Sequence, residues 1–169
     1  EGIVRHWAVF LAYLKLTRLR SPLQAGEYQF AEPLSVTQVA DKLIRGLIYY
    51  HEFPVPEGYS LFEIGALLEQ KGFARAADLM AAAGRADLVA DLSQSARNLE
   101  GFLFPDTYRL ARGTTADEIA RIMVRRFREV YAAYQPLLSQ SPLNLHQVVT
   151  LASLIEKETS VDAERELIS

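Results

Sequence analysis

The chain has 169 residues, 50% of them hydrophobic and 23% charged, which is enough to build one or two small domains and too apolar for a disordered chain. A formal net charge of −3 gives no general electrostatic attraction to nucleic acid. The absence of cysteine excludes disulfides, thiolate metal sites and a cysteine nucleophile, and His6, His51 and His146 have no metal-ligand spacing.

Taken in chain order, the elements alternate helix and strand. Val4, Trp7, Leu11 and Leu14 fit one face of a helix over roughly 3–18. Arg5, His6, Lys15 and Arg18 interrupt it, so the apolar run is far short of the ~20 residues a membrane span needs, and no signal peptide is visible. A strand is expected near 25–31. Ser35-x-x-Gln38 is a capping box opening a helix to about Arg45, with Gly46 as its stop. A strand near 48–55 ends at Pro56-Glu57-Gly58, and Ser60-x-x-Glu63 opens a helix that stops at Gly72. The Ala-rich stretch 74–96 is expected to be helical and broken near Gly84. Thr115-x-x-Glu118 caps a long helix to about Tyr134; Pro136 and Pro142 bracket a loop; Asn144-x-x-Gln147 opens the last helix. Arg121, Arg125, Arg126 and Arg128 alternate with Ile122, Met123, Val124 and Phe127, the pattern of a solvated helix face. The fold class read from this order is α+β.

The last helix carries the clearest chemical signal, Leu151-Ala-Ser-Leu-Ile-Glu-Lys-Glu-Thr159. By helical neighbours, Glu156 lies above Ala152 and Ser153, with Val149 one turn further back. A carboxyl above small side chains has an open hollow beside it, where a substrate oxygen can sit. Glu158 lies above Leu154 and Ile155 and has less room. The helix reads as mostly buried, and half-burial is expected to raise the pKa of Glu156 by disfavouring its charged form. A carboxylic acid still protonated near neutral pH suits glycosidic bond cleavage. The alternative reading is a solvated acid at the edge of the core.

A second motif is Asn98-Leu-Glu-Gly-Phe-Leu-Phe-Pro-Asp-Thr-Tyr108. It gathers Phe102, Phe104 and Tyr108 around Glu100 and Asp106. Its alternation reads as extended, with Phe102 and Phe104 on one strand face and Leu103 on the other. Aromatic faces beside carboxylates hold sugar rings, so this stretch is placed beside Glu156 as a wall of a glycan cleft. The alternative is a hydrophobic strand ending in a Pro-Asp turn.

Together these two motifs resemble the MltG/YceG family of endolytic murein transglycosylases. Gln24-Ala-Gly-Glu-Tyr-Gln-Phe30 and Phe53-Pro-Val-Pro-Glu-Gly-Tyr-Ser-Leu-Phe-Glu-Ile64 resemble two further family segments, in the same order. The resemblance covers nearly all of 20–166. It implies a LysM-like strand–helix unit within residues 1–73, then the beginning of a mainly helical YceG-like catalytic domain over 74–169. The LysM-like unit is either a grip on glycan or a spacer; Tyr49, Tyr50 and Tyr59 are its stacking candidates, or core residues.

The resemblance further implies that Glu156 is the catalytic acid and base. Glu100, Phe104, Asp106, Tyr108, Ser153 and Glu158 then contact substrate, with no metal and no cofactor. The implied partners are peptidoglycan glycan strands and cell-wall synthesis proteins, with no nucleic acid. The implied location is the periplasmic face of the bacterial inner membrane, through a single-pass anchor upstream of Glu1. The family continues past Ser169, and site residues there cannot be assigned from this chain. A non-catalytic glycan-binding module and a peptidoglycan hydrolase using Glu100 or Asp106 as second acid remain as alternatives. Aminodeoxychorismate lyase, a label the family has carried, is rejected. The four lysines, Lys15, Lys42, Lys71 and Lys157, come with no glycine-rich phosphate loop for pyridoxal phosphate.

Overall fold

Four reciprocal caps fix where the main helices start. In the computed structural model, which describes residues 7–16 and 23–158, the Ser35 hydroxyl accepts from the Gln38 N–H while the Gln38 side chain accepts from the Ser35 N–H. Ser60 with Glu63 and Thr115 with Glu118 repeat the arrangement. Asn144 and Gln147 exchange bonds of 2.9 and 3.0 Å in the same way. Each pair satisfies two N–H groups that a helix start leaves without partners.

The helices are α1 (Trp7–Leu16), α2 (Val36–Ile44), α3 (Leu61–Gln70), α4 (Ala76–Ala83), α5 (Ala116–Leu138) and α6 (Leu145–Glu158). Strands β1 (Tyr50–Pro54) and β2 (Thr107–Ala111) pair as a two-stranded sheet, and the class is α+β.

The chain forms two compact units. The first takes the described residues up to His51 together with Arg109–Gly113. In it α1 packs on α2, and the Tyr49 N–H donates to the Glu27 carbonyl at 2.7 Å. Residues 25–31 otherwise form no strand. The second unit takes Glu52–Tyr108 and the described residues from Thr114 onward, so residue 73 falls inside it. Its core contains Phe53, Leu68, Leu79, Leu99, Phe102, Ile119 and Met123, all fully buried. There α3 packs on α4 and α4 on α5, and Phe53–Phe73 and Phe102–Phe127 meet edge to face. Burying each large apolar side chain contributes about 1.5–3 kcal/mol.

Four features depart from the periodicity. The helix expected over 74–96 stops at Ala83; a short 3-10 turn, Ala86–Val89, follows, with Arg85 tied to Asp87 and Asp117. Residues 98–104 are turns rather than strand. The Leu99 N–H donates to the Ala83 carbonyl and the Phe102 N–H to the Leu99 carbonyl, so Phe102 and Leu103 are both buried instead of facing opposite ways. The long helix runs through Pro136 to Leu138. The one bond that Pro136 cannot donate would have gone to Ala132, which is exposed, so the carbonyl left without it is not shut away from solvent. Finally, α6 buries no residue at all: Leu151 and Leu154 are 47% and 58% exposed.

Candidate active site

One stripe of α6 meets the rest of its unit. Val149, Ala152, Ser153 and Glu156, spaced three, four and seven apart, line a cavity of about 440 Å³. The facing walls are the turn Glu57–Ser60 that leads into α3, residues 100, 101 and 103–105 of the aromatic segment, and Phe127 of α5.

Two glycines set how closely α6 approaches. Gly58 has φ +74°, and a Cβ added there would lie 3.2 Å from Glu156 Cγ and 3.9 Å from its Oε1. Gly101 has φ +79°, and its Cβ would fall 2.7 Å from Val149 Cγ1. Both conformations are open to glycine at little cost; a Cβ at Gly101 would clash with Val149, and one at Gly58 would crowd Glu156. Each of the two loop motifs therefore presses a bare backbone against the helix that carries Glu156. The Glu156 side chain is left half-exposed at the cavity wall.

Glu100 reaches the same cavity from the opposite side. Its Oε2 accepts from the Leu61 N–H at 3.2 Å, at the start of α3, where the helix dipole favours a carboxylate. Glu63 sits in the α3 capping box. The Ser60 hydroxyl, then the Ser60 N–H, hold its carboxyl below the usual range, and Lys157 Nζ lies 3.9 Å from it. Lys157 is the cation of the cavity lining. The Ser153 hydroxyl donates to the Val149 carbonyl at 2.8 Å. Phe104 lines the cavity with the Arg126 guanidinium 5.9 Å from its ring centre.

Glu156, Glu100, Phe104 and Ser153 thus share one cavity, while three other sequence candidates do not line it. Asp106 is committed elsewhere: it accepts from the Thr107 N–H at 2.7 Å and from Arg126 Nε at 2.6 Å. Those contacts, the backbone one first, keep its carboxyl below the usual range. Tyr108 is buried and donates its hydroxyl to the Phe104 carbonyl, and burial pushes its phenol pKa up. It supports the backbone of Phe104 from behind. Glu158 is exposed, on a different face of α6.

Sequence reasoning did not join Glu57, Gly58 and Tyr59 to Glu156. Tyr59, read there as a stacking residue of a separate unit, lines this cavity and is 40% exposed. A Pro-Glu-Gly turn running straight into a capping box was the signal: it fixes a turn whose next residues must face whatever packs on the start of α3.

Chemically, the cavity offers a half-exposed carboxyl beside small residues, a second carboxylate fixed by a helix N-terminus, and aromatic faces at Tyr59 and Phe104. That set can transfer a proton at a ligand oxygen while holding an apolar ring face. Among the described residues, no group of three or more His, Asp or Glu side chains could hold a metal ion. Nor, among them, is any helix long and apolar enough to cross a membrane.

Comparison with known proteins agrees with this architecture. The endolytic murein transglycosylase of Streptococcus pneumoniae (strain D39) is 27% identical over 99% of this chain and 35% of its own length. That of Bacillus subtilis (strain 168) is 24% identical over all of the chain and 51% of its own length. The chain therefore spans about a third to a half of the curated relatives it matches. The crystal structure of a yceG-like protein from Listeria monocytogenes superposes with a TM-score of 0.59 at 25% identity, covering 96% of this chain and 59% of that one. The sequence profile of the YceG-like family matches residues 1–169, and the chain belongs to that family.

Proposed function

We propose that the whole protein is a murein transglycosylase that cuts within glycan strands, and that Glu156 is its acid and base. The observation that carries the reading is the α6 stripe: Glu156 opens onto a cavity beside Ala152 and Ser153, with the bare backbone of Gly58 against its side chain. The names of the S. pneumoniae and B. subtilis relatives support the substrate class.

In this mechanism protonated Glu156 gives its proton to the oxygen joining N-acetylmuramic acid to N-acetylglucosamine. The bond from the muramyl anomeric carbon to that oxygen breaks through an oxocarbenium-like state. The Glu156 carboxylate then takes the proton of the muramyl 6-hydroxyl, whose oxygen bonds to the anomeric carbon. A 1,6-anhydro end forms, water is not consumed, and Glu156 is protonated again. Tyr59 and Phe104 stack on sugar faces, Glu100 and Ser153 hydrogen-bond to hydroxyls, and no cofactor takes part. The exposed Tyr49 and Tyr50 of the first unit are a glycan grip in the same reading, with the enzyme acting at the outer face of the inner membrane alongside cell-wall synthesis proteins.

The test is digestion of purified peptidoglycan by the full-length protein in heavy-oxygen water. Anhydro ends without label are expected; label at the new anomeric carbon means hydrolysis, with Glu100 as the second acid, and refutes the transglycosylase. Glu156→Gln is expected to reduce cleavage at least ~10²–10⁴-fold with the fold intact, and Glu158→Gln far less. Cleavage at the wild-type rate by Glu156→Gln removes the catalytic assignment of Glu156, whereas no cleavage by the wild-type protein leaves a glycan-binding module.

A further inference from the structure

A second cavity, of about 420 Å³, adjoins the first. The two share Glu100, Gly101, Val149 and Ser153, and the second continues along α6 to Thr150 and His146. From Glu156 to His146 the helix advances about 15 Å at 1.5 Å per residue, longer than one sugar ring. The lining changes character on the way. Around Glu156 it carries Glu57 and Lys157; Glu100 is common to both, and the second cavity adds Arg97 and His146, together with Asn98.

Among the described residues Arg97, like Arg125, is held by no carboxylate. Arg45, Arg75, Arg85, Arg121, Arg126 and Arg128 are each held by a carboxylate. Among the described residues, neither the Arg97 guanidinium nor the His146 imidazole makes a hydrogen bond or ion pair. An uncommitted planar fork at the rim of a cavity is suited to a carboxylate, which it can hold through two parallel bonds.

We propose that this second cavity is a subsite for a carboxylate on the peptide substituent of the glycan, with Arg97 as its anchor and His146 beside it. The proposal rests on the murein reading above. A strand lying along α6 would put a sugar linkage at Glu156 and an adjacent sugar's acidic peptide at Arg97. The enzyme would then favour strands that still carry their peptides over bare glycan.

Binding separates this subsite from catalysis. Full-length protein carrying Glu156→Gln is titrated with glycan fragments bearing intact peptides and with the same fragments stripped of peptide. The expected result is roughly three- to tenfold tighter binding of the peptide-bearing fragment, a preference that fades as salt is raised. Adding Arg97→Ala is expected to remove most of that preference and leave bare-glycan binding unchanged, and Arg97→Lys to restore part of it. Equal affinity for both fragments, no binding of either, or equal weakening of both by Arg97→Ala overturns the subsite. If the peptide-dependent preference is present but the wild-type protein cuts neither substrate, the transglycosylase reading falls and the subsite stands. If the wild type cuts both and Arg97→Ala alters neither binding nor rate, the reverse holds.

Discussion

Replacing Gly58 by alanine tests whether the turn before α3 aligns the acid on α6. The residue has φ +74°, a conformation that costs an L side chain about 1–2 kcal/mol. Restricting the unfolded chain returns about 0.4–1 kcal/mol, so the backbone alone predicts a loss near 1 kcal/mol, or roughly 2–4 °C in Tm for a domain of this size. The steric effect is separate. The new Cβ would sit 3.2 Å from Glu156 Cγ, inside the ordinary carbon–carbon contact of about 3.5–4.0 Å. Glu156 must therefore shift by a few tenths of an ångström. Since misplacing a catalytic group by about 1 Å costs about 10²-fold, a roughly tenfold fall in kcat is expected. Gly113→Ala is the control: its φ is +85°, with nothing within 4 Å of the added Cβ. Thermal melts and peptidoglycan cleavage by both full-length variants give the answer. Both should lose similar stability, and only Gly58→Ala should lose rate. If the two variants cleave equally well, Gly58 does not align Glu156.

Three further outcomes follow from the contacts. Phe102→Ala should cost about 3–5 kcal/mol in denaturant titration, because the ring is fully buried against Phe127, while the partly exposed Phe104 should cost less in stability and more in cleavage. Asp106→Asn should cost about 1 kcal/mol or less, since its pair with Arg126 is more than a third exposed, and should leave kcat unchanged. That reverses the role its sequence neighbours suggest, and a large loss of rate at full stability would restore it. Acid should also destabilise the second unit through Asp91, whose pKa the hydrogen bonds from Arg128 lower from 3.8 to about 2. A depressed carboxyl stabilises the fold above its unfolded pKa and loses that contribution as pH falls through the folded one. The denaturation midpoint should therefore drop between pH 3.8 and about 2, and less steeply in Arg128→Gln; an identical pH profile in the variant would show that the pair contributes nothing.

Much of the local architecture was legible in residue order, because caps and helical neighbours act over three or four residues. Ser35 with Gln38, Ser60 with Glu63, Thr115 with Glu118 and Asn144 with Gln147 all close as reciprocal pairs. The stripe Val149, Ala152, Ser153, Glu156 follows from the helical period, and it is the stripe that faces the cavity. The resemblance of the two acidic motifs to one family rested on their order along the chain and agrees with the family match over its whole length.

Tertiary packing decided the rest. Alternation in Phe102-Leu103-Phe104 suggested a strand, yet turns held by Leu99 bury Phe102 and Leu103 together, since the segment meets core on more than one side. The apolar content of α6 suggested burial, but a helix is buried only by what packs on it, and within the described residues the contacts of Gly58 and Gly101 reach one stripe alone. Asp106 and Glu100 look equivalent in sequence. One is taken by Arg126, twenty residues on, and the other is carried to the cavity by the start of α3, thirty-nine residues back. Sequence sets which groups an element can present; which of them meet, and which are neutralised by a distant partner, depends on pairings that no local pattern encodes.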